Sequence, residues 1–140
     1  TGKQLDWQHY VRCMDFVAQQ IENPRFFCFS DSPDAAQKLV SLPYDIVLVA
    51  HNRGDQQAHE DFHLMSLCRH FILSNSTFGW WPAWLNARPD SLVISPPLRF
   101  WDNQDILPAH WETSDNLLND LLHETERSRD ALKKNPATRF

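Results

Sequence analysis

Several features are scarce in this 140-residue sequence, and each scarcity removes a class of protein from consideration. Cysteine occurs three times, at Cys13, Cys28 and Cys68, an odd number without Cys-x-x-Cys spacing. Neither a disulfide framework nor a zinc cluster is indicated, and two of the thiols lie inside apolar segments, as reduced, buried cysteines of a cytosolic protein do. Basic charge is never concentrated into a stripe and the formal net charge is -5, which argues against a nucleic-acid partner and leaves a charged small molecule open. There is no signal-peptide pattern and no apolar run long enough to span a bilayer. There is also no low-complexity tract, and no repeat beyond a strand-helix unit. What remains is a chain of about one domain, long enough to bury a core, with an ordinary hydrophobic share of 42%.

Along the chain, Tyr10, Met14, Val17 and Ile21 recur at helical spacing, and Asn23-Pro24 ends that segment, so a helix is predicted over Asp6 to Ile21. Arg25 to Phe29 reads as an aromatic strand leading into Ser30-Asp31-Ser32-Pro33, where Ser or Asp can cap a helix through Ala35, Ala36, Leu39 and Val40. The unit then repeats. Asp45 to Ala50 is a strand of the kind covered on both faces, followed by a polar loop over 51–58, a helix from His59 to Cys68, a strand at His70 to Leu73, a helix over Trp81 to Ala87, and a strand at Ser91 to Ser95. Such alternation predicts one parallel sheet with right-handed crossovers. Phe100, Trp101 and Trp111 fall on irregular segments and are expected to cover a sheet edge. From Asp115, Leu117, Leu118, Leu121 and Leu122 form an amphipathic stripe, and residues 126–140 read as a charged, solvated tail. Because the order starts with a helix, the α/β unit reads as one entered partway through.

The stretch SNSTFGWWPAWLN, Ser74 to Asn86, joins a strand to a helix through Asn75, Ser76 and Thr77. The first turn of a helix carries unpaired N-H groups and the positive end of the dipole, and hydroxyls there suit phosphate oxygens; the same residues can equally serve as a helix cap. Trp80, Trp81 and Trp84 can be core or the wall of a pocket, and core is the expectation for Trp80 and Trp81. Two further motifs mislead. His59-Glu60-Asp61-Phe62-His63 matches HExxH, the zinc-hydrolase pattern, but Leu64, Met65 and Cys68 share a helical face with Asp61, while His59 and His63 lie opposite. Ser66 and Arg69 stand where an extended zinc motif has Gly and His, so no metal is expected. The run His51 to Asp55 is explained by a turn on Asn52 and Gly54.

From Phe26 onward the sequence resembles the bacterial α-1,2-fucosyltransferases of glycosyltransferase family 11. The likeness rests on FFCFSDS at Phe26 to Ser32, on HNRGDQQAHEDFHLMSLCRHFILSNSTFGWWPAWLN at His51 to Asn86, and on ILPAHW at Ile106 to Trp111. The resemblance implies an α/β fold, a Rossmann-like three-layer lobe with a parallel sheet, forming the C-terminal half of a GT-B-like enzyme. It places the GDP-sugar-binding lobe at residues 1–125. The implied reaction moves fucose from GDP-fucose to the 2-hydroxyl of a galactose-containing glycan, with inversion and without a required metal. Asp61 matches the family's guanine-binding Asp, and Ser76, Thr77 and Phe78, with Asn75 ahead of them, match the diphosphate turn. Ser30 and Asp31 match a Ser-Asp-Asp element in which Ser32 replaces the second Asp. The family's HxRRGD element, whose Arg is believed to support the departing diphosphate, has no match here, so the resemblance implies a missing N-terminal lobe, catalytic residues outside this chain, and no activity of the chain alone. A cytoplasmic location goes with it, with peripheral association at the inner face of the membrane left open. Residue chemistry alone gives Asp61 two uses, capping its helix or accepting from guanine N1-H and N2 amine. A stand-alone nucleotide-binding α/β domain without catalysis is the main alternative, and a zinc hydrolase built on His59 and His63 is the other.

Overall fold

The computed structural model describes residues 5–30, 33–49, 55–86 and 88–134. Helix α1 (Trp7–Gln20) begins where the Asp6 side chain accepts from the backbone N-H of Gln8, a cap that satisfies one orphan donor of the first turn. It is followed by β1 (Arg25–Phe29), α2 (Pro33–Val40), β2 (Asp45–Val49), α3 (Asp55–Ser66), β3 (Phe71–Ile72), α4 (Thr77–Asn86), β4 (Val93–Ser95), β5 (Glu112–Thr113) and α5 (Ser114–Lys134). Two short 3-10 turns, Leu98–Phe100 and Gln104–Ile106, lie between β4 and β5.

Every strand pairing is parallel, as the alternation predicts. Among the described residues the pairs form two ladders, β1-β2 and β3-β4-β5, rather than one. The packing ties them together, because Phe26 of β1 and Ile72 of β3 reach the same cluster as Cys13 and Val17 of α1, Ile94 of β4 and Leu117 of α5. The opposite face of the second ladder carries Phe71, Leu73 and Val93 packed with Trp80, Ala83, Trp101 and Trp111. Alternation along Phe71-Ile72-Leu73 and Leu92-Val93-Ile94 thus sends successive side chains to two cores, which is the period-2 geometry of a strand covered on both faces.

Four expectations need correction. Strand β2 is not covered on both faces: Val47 and its register partner Phe27 are both exposed, because the adjoining helix covers one side only. Trp101 and Trp111 do not cover an edge but lie in the main core, where the indole N-H of Trp101 donates to the buried Ser95 hydroxyl at 2.8 Å. Helix α3 starts at Asp55, its Gln-Gln-Ala opening being adequate helix formers rather than loop. Trp81, expected in the core, is half exposed, its side chain lying outside the cluster that holds Trp80.

Candidate functional site

In parallel α/β sheets the carboxyl ends of the strands, and the loops that leave them, are where ligands bind. Ser30 leaves β1 at this edge, and Ser74-Asn75-Ser76 connects β3 to α4. The Ser76 hydroxyl accepts from the backbone N-H of Phe78 at 3.2 Å, so Ser76 is the N-cap of α4 and the capping reading of this turn is correct. Capping and anion binding are compatible, because accepting one hydrogen bond leaves the hydroxyl able to donate, and the remaining first-turn N-H groups and the dipole persist. Thr77 is the first residue of α4, and Phe78 is partly exposed at its second position.

Asp61 sits in the middle of α3, which packs along α4 with the Phe62 and Phe78 rings edge to face at 6.2 Å. Its neighbours in sequence, His59, Glu60 and His63, are exposed, whereas Asp61 is only 3% exposed and its Oδ1 has no hydrogen-bond partner among the described residues. Lying mid-helix, it caps nothing at the N-terminus of α3. A buried acceptor left unpaired costs about 1 to 3 kcal/mol, more when charged. Structures retain such a group where a bound molecule satisfies it.

The structure therefore brings Asp61, Ser76, Thr77 and Phe78 onto one packed helix pair, with Asn75 in the turn and Ser30 at the end of β1. Asp31 and the run His51 to Gly54 lie outside the described residues. His59 and His63 do line a shallow surface depression with Glu60 and Leu64, but no group of three His, Cys, Asp or Glu able to hold a metal occurs among the described residues. Of the tryptophans, Trp80 is core, donating its indole N-H to the Ile106 carbonyl at 3.1 Å. Trp84 stacks on it with ring centroids 5.4 Å apart while remaining half exposed, as Trp81 does.

Sequence reading missed His9. It is buried, its Nε2 is 3.1 Å from the Leu73 carbonyl at the end of β3, and its Nδ1 is 3.2 Å from the Ser114 hydroxyl that opens α5. A carbonyl can only accept, so Nε2 carries the proton and the neutral ring's Nδ1 accepts from Ser114. Burial lowers the His9 pKa, opposed by the Leu73 hydrogen bond and helped by the nearby Arg12 charge. Next to it, burial pushes the Tyr10 phenol up to about 12. The available signal was the spacing of His9, Cys13 and Val17, which puts the imidazole on the buried face of α1.

The family description "Glycosyl transferase family 11" matches residues 3–113. Relatives include the O-antigen biosynthesis glycosyltransferase WbnK of Escherichia coli, 29% identical over 71% of this chain and 32% of its own length. An alpha-1,2-colitosyltransferase of Escherichia coli is 28% identical over 64% of this chain and 31% of its own length. The galactoside alpha-(1,2)-fucosyltransferase 1 of Sus scrofa is 27% identical over 64% and 24% respectively. The chain thus spans about a third or less of these relatives' length, and no solved structure matches it. Matched across most of its length and built as a parallel α/β assembly, the chain belongs to glycosyltransferase family 11.

Proposed function

We propose that this chain is the donor-binding part of a fucosyltransferase that uses GDP-fucose and delivers fucose to the 2-hydroxyl of a galactose-containing glycan. The observation that carries this reading is the Asp61 Oδ1, buried and without a hydrogen-bond partner among the described residues, on the helix that packs against α4. A carboxylate matches the adjacent N1-H and N2 amine of guanine, two donors that adenine lacks. The α4 N-terminus, with Ser76, Thr77 and Phe78, receives the diphosphate. In the proposed reaction a base outside this chain takes the proton of the acceptor hydroxyl, whose oxygen attacks the anomeric carbon from the face opposite the leaving group; the bond to the diphosphate breaks, and GDP departs. Charge developing on the leaving phosphate is stabilised by fixed N-H donors that are already oriented, and no metal is required. The names of two relatives carry α-1,2 transfer of different sugars, colitose and fucose, and GDP-fucose is preferred here on the Asp61 and Ser76 match.

The test is calorimetry with GDP, GDP-fucose, UDP and ADP on the wild type, Asp61→Ala and Ser76→Ala. Hydrogen bonds to a charged group contribute about 1.5 to 3 kcal/mol, so Asp61→Ala should weaken GDP about ten- to a hundredfold and erase its preference over ADP. The same variant should melt no lower than wild type, since it removes an unsatisfied buried group. Ser76→Ala should weaken all nucleoside diphosphates alike and by less. Equal losses for ADP and GDP in Asp61→Ala would refute the base assignment.

A further inference from the structure

His9 has no part in the chemistry proposed above, yet it contacts the strand end from which the diphosphate turn departs. Its Nε2 donates to the Leu73 carbonyl. The same imidazole accepts from Ser114, the residue that follows β5. In the strand order β3-β4-β5, it therefore spans the ends of the two outer strands across β4. Leu73 is held from both sides of its peptide, because its N-H donates to Ile94 of β4 at 2.8 Å while its carbonyl receives His9. Three residues separate Leu73 from Thr77, the start of α4. Any tilt at Leu73 is thus transmitted almost directly to the N-H groups of the first turn.

We infer that His9 is a positioning residue for the anion-binding turn, acting through its Nε2 contact to Leu73. The inference rests on the reading of the Ser76-Thr77 turn as the diphosphate site. Groups at the turn that must hold a diphosphate gain from being fixed beforehand, because ordering them on binding costs affinity.

The two amide replacements of His9 separate positioning from bulk stability. In His9→Gln the side-chain amide reaches the place of Nε2 and can keep the Leu73 contact, whereas in His9→Asn it reaches only the place of Nδ1 and keeps Ser114. Each loses one buried hydrogen bond, so both should melt below wild type by similar amounts. Binding of GDP, ADP and inorganic pyrophosphate to the 140-residue chain is then measured by calorimetry. The expected result is affinity within about twofold of wild type for His9→Gln and a loss of at least about fivefold for His9→Asn, equal for all three probes. Equal affinities in the two variants would overturn the inference while leaving the site reading intact. If neither His9 variant folds, Ser114→Ala, which removes the hydroxyl that fixes the His9 ring, replaces them, with a two- to fivefold loss across all three probes expected and unchanged binding overturning the inference. Failure of the wild type to bind any of the three would remove the diphosphate site, and the positioning role with it.

Discussion

At the residue scale, two buried polar groups stand on opposite sides of the rule that interior polar atoms find partners. Asp61 Oδ1 has none among the described residues, while His9 is satisfied at both ring nitrogens and held neutral. Neutral burial has a consequence for acid stability. The unfolded chain takes up a proton at an ordinary imidazole near pH 6.5, and the folded chain resists it to a lower value. Stability is therefore complete above about pH 7.5, begins to fall as pH drops through 6.5, and continues to fall until the folded imidazole also titrates. His70 acts in the same direction, its pKa being lowered by burial and by Arg69 against the pull of Asp90, with its Nδ1 accepting from the Leu92 N-H. Each imidazole contributes a slope of up to about 1.4 kcal/mol per pH unit. Denaturant titrations between pH 5 and 8 should show this decline, and His9→Gln should remove a good part of it. A flat profile in the wild type would contradict the neutral, buried assignment.

At the scale of elements, α3 carries both the misleading motif and the informative residue. Because His59 and His63 are exposed and Asp61 is buried, a His59→Ala, His63→Ala double variant should change stability by no more than about 0.5 kcal/mol, as surface substitutions usually do. Metal analysis of the purified protein should find no stoichiometric zinc; one zinc per chain, lost in the double variant, would revive the hydrolase alternative. The orientation of α3 was legible in the sequence because a 100° period separates Asp61 from the two histidines over a single turn. So were α1, from the spacing of Tyr10, Met14, Val17 and Ile21, and β1, with its run of aromatics. Strand β5 was not legible, since two residues, Glu112 and Thr113, are too few to show a period. The split into two ladders could not be read either, because strand sequence sets which faces are apolar and not which edges meet. Trp101 and Trp111 were misplaced for a related reason: they sit on irregular backbone, where periodicity says nothing about burial, and only the fold brings them against Trp80.

At the scale of the molecule, the described residues contain no helix long and apolar enough to cross a membrane. The chain covers between 24% and 32% of the length of the three relatives compared above. Positioning of donor against acceptor accounts for much of an enzyme's rate, so the 140-residue chain alone is expected to transfer no measurable radiolabelled fucose to a galactoside; transfer near the rate of a full-length relative would contradict this. The link between His9 and Ser114 has a further consequence, for the order of assembly. It joins positions 105 residues apart, and the cluster holding Cys13 and Val17 is completed only by Ile94 and Leu117. During synthesis α1 is made well before β4 and α5, so its buried face has no finished partner until Ile94 and Leu117 have left the ribosome. Contacts of such sequence separation form late and slow folding, and apolar surface waiting for them is open to other chains in the meantime. Helix α1 is thus made long before it is secured, and a ribosome stalled between Gln20 and Ser114 would display a nascent chain with that helix still seeking a surface to cover it.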